Sequence, residues 1–226
     1  MANITLKTNP ISTIGELPST GSKATDFTLI GKDLKEVSLK DFEGQKLILN
    51  IFPSLDTGVC AQSVRIFNEK AASIENTKVL CISRDLPFAQ NRFCGAEGIE
   101  NVITLSDFVN GSFGNDYNLT ITSGPLSNLH SRCIIALDEN HNIIYTEQVP
   151  EITTACWGIL DKSPDAVMCA SSRMVVKRRG AEKLAVLACT LLPYSPEFEL
   201  GETLEEAERD VALNHPHCAK FCVLGG

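Results

Sequence analysis

The sequence predicts an α/β fold in which a central mixed sheet is flanked by helices. Three observations carry this expectation. The apolar run Lys46-Leu47-Ile48-Leu49-Asn50-Ile51-Phe52 reads as a buried strand. Residues 61–72 then place Val64, Phe67 and Ala71 at helical spacing, and a second apolar run, Val79-Leu80-Cys81-Ile82, follows. Strand, helix and strand in that order form a β-α-β unit with parallel strands and a right-handed crossover. Finally, residues 133–137 and 143–145 read as two strands joined through Asp138-Glu139-Asn140-His141-Asn142, an antiparallel hairpin that makes the sheet mixed. A hydrophobic fraction of 43% in 226 residues is ample for a core, and a charged fraction of 21% argues against disorder.

Residues 1–45 read as an entry segment. Ile4 and Leu6 alternate with polar neighbours, Asn9-Pro10 turns the chain, and 27–30 forms a second short strand. Lys40-Asp41-Phe42-Glu43-Gly44 turns into the central strand, expected over 47–52. Pro53 ends that strand because it has no N–H to give the ladder. A helix is expected over 60–74 and a strand over 79–83. Cys81, inside that strand, reads as a small core side chain. Residues 84–89 turn into a second helix that reaches Phe93-Cys94-Gly95, with Cys94 near its end, where local opening is easy. A strand over 102–106 leads into a long connection, 107–128, containing Phe108, Phe113 and Tyr117. These aromatics read either as the lining of an apolar approach or as core anchors beneath a loop. Arg132 opens the first hairpin strand, and Cys133 beside it replaces an apolar core residue.

Residues 155–226 differ from the rest. They hold Cys156, Cys169, Cys189, Cys218 and Cys222, the single Trp157, and the basic cluster Lys177-Arg178-Arg179. A helix over 202–213 fits the pattern, but no period is sustained elsewhere, and the apolar stretch 184–192 is too short to cross a bilayer. His215-Pro216-His217-Cys218 with Cys222 offers zinc-type ligands, yet the spacing fits no common finger and no second knuckle precedes it. The Lys177–Arg179 cluster reads as a solvated turn. The expected division is a folded domain over 1–154 and an unmatched segment over 155–226, disordered or foreign to the gene.

A formal net charge of -8 makes nucleic acid an unsuitable partner. The first eight residues show no basic region followed by an apolar one, so no secretory signal is expected, and no run is long enough to span a membrane. Nine cysteines, an odd number without a CxxC pair, read as thiols in a reducing, cytoplasmic compartment rather than as a disulfide framework.

Chemistry concentrates at Cys60. It stands at the mouth of a strand-to-helix turn, where unpaired N–H groups and the positive end of a helix dipole favour thiolate over thiol. The dipole supplies only about 0.3–1 kcal/mol. A hydrogen bond to sulfur and a cation are therefore needed as well. Thr57 stands one turn upstream and can supply the hydroxyl, whereas position alone leaves the cation unassigned. On these grounds Cys60 is a reactive thiol or a small buried core residue.

Pro53, Thr57 and Cys60 fit the Pro-x-x-x-Thr-x-x-Cys motif of peroxiredoxins. The run FPSLDTGVCAQSVRIFN resembles the bacterial thiol peroxidase branch, and the likeness continues through VLCISRDLPFAQNRFCGAEG and SRCIIALDENHNIIYTEQVPEITT. It covers roughly residues 1–154 and stops there, inside an expected terminal amphipathic helix. The resemblance implies a thioredoxin-like fold with an amino-terminal hairpin. It also implies a thiol-dependent peroxidase acting on hydrogen peroxide and organic hydroperoxides. Cys60 would be the peroxidatic thiol, Cys94 the resolving thiol in an intramolecular disulfide, Thr57 and Arg132 the groups facing Cys60, and Pro53 part of the motif. Thioredoxin is the implied reductant and a homodimer the implied assembly. No metal, haem or flavin is required. A thiol–disulfide oxidoreductase on the same fold is disfavoured, because Thr57 occupies the place of a C-x-x-C motif's first cysteine. An inactive binding protein is the reading of a different class, supported by the missing terminal helix.

Overall fold

The computed structural model describes residues 1–71 and 76–154. The end of the helix expected over 60–74 and every expectation for residues 155–226, the 215–222 constellation and the Lys177–Arg179 cluster included, lie outside the described residues.

The chain begins as an antiparallel hairpin of β1 (Asn3–Leu6) and β2 (Asn9–Ser12). Its two turn residues, Lys7 and Thr8, both take positive φ, 50° and 71°, the backbone that a two-residue hairpin turn demands. Ile4 and Ile11 form a small satellite core with Ile121 and Ile152. The hairpin is thereby fastened to the long connection before the last two strands and to the segment after the last strand.

That sheet has seven strands in the order β4-β3-β7-β6-β5-β8-β9. They are β3 (Thr28–Gly31), β4 (Glu36–Ser38), β5 (Lys46–Ile51), β6 (Thr77–Ser83), β7 (Val102–Ser106), β8 (Cys133–Leu137) and β9 (Ile143–Gln148). β5, β6 and β7 are parallel to one another, and the outer strands join antiparallel. The expected mixed sheet is present, with every residue of β8 and all but the first of β5 buried.

Helix α1 (Gly58–Ala71) connects β5 to β6, and α2 (Pro87–Glu97) connects β6 to β7. Two right-handed crossovers that step in the same direction place both helices on one face of the sheet. Contacts between them agree. Arg65 of α1 forms a two-pronged pair with Glu97 of α2, at 2.8 and 2.9 Å, and lies over the Phe93 ring. Val64 and Phe67, two of the three apolar positions that marked α1, are fully buried. Ser63 of α1 donates to Asn50 of β5 at 3.1 Å, so Asn50 and its register partner Cys81 face the helices.

The opposite face carries Leu47, Leu49, Ile51, Leu80, Ile82, Leu105 and Ile135 in one cluster with Phe27, Phe113 and Tyr117. Here the structure chooses between the two readings of the aromatics. Phe113 and Tyr117 stack at 4.5 Å in the core, and the Tyr117 hydroxyl donates to the Thr25 carbonyl at 2.6 Å. They are anchors, held by a short helix α3 (Ser112–Asp116) that the pattern of 107–128 did not announce. Phe108 remains partly exposed. Cys81 and Cys133 are both fully buried, as expected of core residues.

The end of α2 differs from expectation. Gly95 lies within the helix, which runs to Glu97 and stops at Gly98 in the left-handed region, φ 63°. A residue without a Cβ takes that conformation at little cost. The N–H groups of Gly98 and Ile99 both point to the Cys94 carbonyl, so Cys94 stands one turn inside the helix and closes its final cap.

Candidate active site

β5 delivers the chain to the site. Phe52 makes the last ladder contact, its N–H to the Ile82 carbonyl at 3.2 Å, and Pro53, buried and without a donor, ends the pairing. Residues 54–57 form a tight loop in which the Ser54 carbonyl faces the Thr57 N–H at 3.2 Å. The Thr57 carbonyl then accepts from Ala61 at 3.0 Å, which makes Thr57 the residue that starts α1. Cys60 is the third residue of the helix, fully buried in its first turn, among N–H groups that have no intrahelical partner.

Two side chains converge on the Cys60 sulfur. Thr57 Oγ1 lies 2.7 Å from it and Arg132 Nη2 lies 3.3 Å from it. Thr57 Oγ1 is also 3.1 Å from the Ser54 carbonyl. A hydroxyl has one proton, so it donates to one of these at a time. With Cys60 as thiolate the proton points to sulfur. With Cys60 as thiol, the S–H can donate to Oγ1 while the hydroxyl turns to Ser54. The loop thus accommodates either state by a hydroxyl rotation.

Arg132 is only 3% exposed and stands immediately before β8. Its Nε donates to the Ile152 carbonyl at 3.0 Å, and its Nη1 is buried without a partner among the described residues. The Ile152 segment is itself held. Its N–H donates to the Thr5 carbonyl at 2.9 Å, and the neighbouring Glu151 carboxylate accepts from the Thr5 hydroxyl, the Lys7 and Thr8 N–H groups, and Thr153. Those donors, the Thr5 hydroxyl foremost, hold the Glu151 carboxyl well below the usual carboxylate range. The amino-terminal hairpin therefore sets the orientation of the guanidinium at Cys60.

Cys94 is not part of this cluster. Its sulfur, half-buried, is 4.0 Å from the Thr104 hydroxyl of β7, and burial pushes its thiol up, with Thr104 pulling the other way. Phe93, its neighbour, sits beside Arg65 of α1. Cys60 and Cys94 stand on different helices and hold different partners, Thr57 and Arg132 for the one and Thr104 for the other. A disulfide needs Cα atoms within about 7 Å. In this arrangement both cysteines are free.

The sequence reading missed two groups that build the site, Asp85 and Glu151. The Asp85 carboxylate accepts from Ser54 Oγ and the Leu55 N–H, each at 2.7 Å. Its signal was available in principle, because Asp85 follows the carboxyl end of β6, where loops of parallel sheets gather around ligands. A surface cavity of about 470 Å³ between β3, β7 and α3 is lined by Asp26, Glu36, Asp107 and Asp116 among others, and shares no residue with the Cys60 site.

Comparison with known proteins follows the same lines. The Redoxin family profile matches residues 19–163. The thiol peroxidase of Corynebacterium glutamicum is 54% identical over 154 residues, covering 68% of this chain and 93% of that protein. The thiol peroxidase of Mycobacterium bovis is 56% identical over 152 residues, covering 67% and 91%. Among solved structures, a peroxiredoxin-like protein from Aquifex aeolicus matches with a TM-score of 0.64 at 34% identity, over 68% of this chain and 89% of that one. A thiol peroxidase from Chromobacterium violaceum has the same TM-score at 22% identity, over 71% and 93%, and speaks to the fold alone. The expected thioredoxin-like α/β fold is the one these structures share.

Proposed function

From the premise that this chain belongs to the Redoxin family and is a thiol-dependent peroxidase, we propose that Cys60 is its peroxidatic nucleophile and Cys94 its resolving thiol. The observation that carries the reading is the convergence of Thr57 and Arg132 on the Cys60 sulfur. A cation and a hydroxyl at one buried sulfur supply what the helix dipole alone does not. A charge-assisted hydrogen bond contributes roughly 1.5–3 kcal/mol, more than the dipole's share.

The Cys60 thiolate attacks the terminal oxygen of a hydroperoxide. The O–O bond breaks, the terminal oxygen passes with its hydrogen to sulfur as a sulfenic acid, and the leaving hydroxide or alkoxide takes a proton from solvent to depart as water or an alcohol. Arg132 Nη1, buried and unpartnered among the described residues, is a donor available to a peroxide oxygen as its charge develops. Thr57 keeps its proton within reach of sulfur and oxygen. Pro53 keeps the loop from rejoining the sheet and so holds the site open at the end of β5.

The Cys94 thiol then condenses with the sulfenic acid. A disulfide forms and water is released. Because the two thiols stand on different helices with different partners, this step follows an opening of α2's last turns, of α1's first turn, or of both. Thioredoxin supplies the dithiol that returns both cysteines to the reduced state, in a cytoplasmic homodimer. Residues 1–154 form the catalytic domain, and 155–226 take no part in the chemistry.

The deciding experiment follows peroxide consumption by purified Cys60→Ser with thioredoxin, thioredoxin reductase and NADPH. The expected result is loss of all thioredoxin-dependent turnover. Turnover at the wild-type rate would overturn the assignment of Cys60.

A further inference from the structure

The Asp85 carboxylate joins the Cys60 loop to the rest of the fold. Oδ1 accepts from Ser54 Oγ at 2.7 Å, and Oδ2 accepts from the Leu55 N–H at 2.7 Å and from Ser83 Oγ at 2.8 Å. Ser83, the last residue of β6, also accepts from Gln90 Nε2 of α2 at 3.1 Å. The Asp85 carbonyl takes the Ser106 hydroxyl of β7. Asp85 is thus rooted in two strands, stands two residues ahead of Pro87, and gives two of its three side-chain hydrogen bonds to the loop. The loop passes that restraint on, because the Ser54 carbonyl faces both the Thr57 N–H and Oγ1, and Oγ1 faces the Cys60 sulfur.

We propose that Asp85 is a positioning residue for peroxide reduction: by holding Ser54 and Leu55 it fixes the Ser54 carbonyl, and through it the Thr57 hydroxyl over Cys60. The inference rests on the reading of Cys60 as the peroxidatic nucleophile. An ionised carboxylate is acceptor-only, and here it meets three donors. An amide in its place turns an NH₂ group toward at least one of them. The loop then shifts, and a displacement of about 1 Å at a reacting centre costs on the order of 100-fold in rate.

A residue that merely keeps the loop folded would give a different pattern, and two reactions of the same sulfur separate the cases. Oxidation by hydrogen peroxide needs Thr57 both to favour the thiolate and to orient the peroxide, whereas alkylation by iodoacetamide needs the thiolate alone, which Arg132 and the helix start also stabilise. In the full chain, Asp85→Asn should lower the second-order rate of Cys60 oxidation on the order of 10- to 100-fold, with alkylation falling clearly less, so that the oxidation-to-alkylation ratio drops. Ser54→Ala removes one of the two loop contacts and should lower the oxidation-to-alkylation ratio less. In the Asp85→Asn background it should lower it no further.

Equal falls in both reactions, or no fall in either, would overturn the proposal. If Asp85→Asn does not give a folded protein by circular dichroism, Ser54→Ala decides, and an unchanged ratio there overturns it as well. These outcomes leave the assignment of Cys60 untouched, since that is tested by Cys60→Ser alone.

Discussion

Arg132 reaches Cys60 with one arm of its guanidinium, Nη2 at 3.3 Å from the sulfur, while its Nε is tied to the Ile152 carbonyl at 3.0 Å. The two contacts use the planar fork as a rigid spacer, so the charge arrives at the sulfur already oriented. Removing it in Arg132→Met should slow both peroxide reduction and alkylation of Cys60 at neutral pH, each by roughly 10- to 150-fold. Arg132→Lys retains the charge but not the fork, and should recover only part of the loss. Stopped-flow oxidation and iodoacetamide kinetics measure the pair. An unchanged alkylation rate in Arg132→Met would assign the thiolate's stabilisation to the helix start and Thr57.

Cys94 makes a prediction in pH. Burial pushes its thiol up, and only a thiolate attacks a sulfenic acid at speed. If Cys94 ionised in its folded position, disulfide formation after one equivalent of peroxide would keep rising past pH 9. An attack that follows the opening of α2 instead uses a freed thiol, which titrates near about 8.5. The rate is therefore expected to rise about tenfold per pH unit below that value and then level off. Quenched-flow trapping followed by non-reducing peptide mapping gives both the profile and the partners. A continued rise above pH 9 would place ionisation inside the folded helix, and a Cys60–Cys81 link would replace Cys94 as the resolving thiol.

What the sequence made legible follows the range of the interactions involved. β5, α1 and β6 were readable because their period is local, and Val64 and Phe67 are buried where the spacing put them. The end of α2 was misplaced because Gly95 looks like a stop, while the left-handed turn that ends the helix is made at Gly98. Phe113 and Tyr117 carried no local sign of which face they serve. That is decided by their packing on Phe27 and the far side of the sheet. The Arg132 contact crosses 72 positions, and no pattern within either segment specifies it, so it came only through resemblance. Asp85 escaped notice because its work is done on a loop 30 positions earlier.

Cys81 carries a prediction about stability. Burial pushes its thiol up to about 12, with the Asn50 amide pulling weakly the other way. The folded protein therefore keeps this proton at pH values where the unfolded chain has lost it. The resulting contribution is intact below the unfolded thiol's pKa of about 8.5 and is lost as pH climbs toward 12. Buried Cys133 and Tyr117 are pushed the same way. Urea denaturation should show stability falling between pH 9 and 11, by about 1.4 kcal/mol per pH unit for each of the two buried thiols, with Tyr117 adding to the fall only above about pH 10. Cys81→Ala should lower stability at pH 8 by its lost packing and flatten the slope by one proton. An unaltered slope would mean that Cys81 titrates freely within the fold.

The last prediction concerns residues 155–226. The hydrogen bonds at the Cys60 sulfur among the described residues come from Thr57 and Arg132, and Arg132 is held by the Ile152 carbonyl. The Ile152 segment is in turn held by Thr5, Lys7 and Thr8. A chain ending at Thr154 retains all of these groups, and should oxidise at Cys60 within about twofold of the full chain, per folded molecule. Stability is a separate matter. Ile134 and Ala136 of β8 are fully buried, and by strand alternation they share a face with Asn50, the face that carries α1. An amphipathic helix grafted after Thr154 to cover that end of the sheet would bury two or three side chains, each contributing about 1.5–3 kcal/mol. Against a net stability of roughly 5–15 kcal/mol this is a large share. Such a graft should therefore raise the melting temperature above that of both the truncated and the full chain. If it raises it above the truncated chain only, residues 155–226 already supply that cover. A rate that falls more than tenfold on truncation would instead bring the segment into the chemistry.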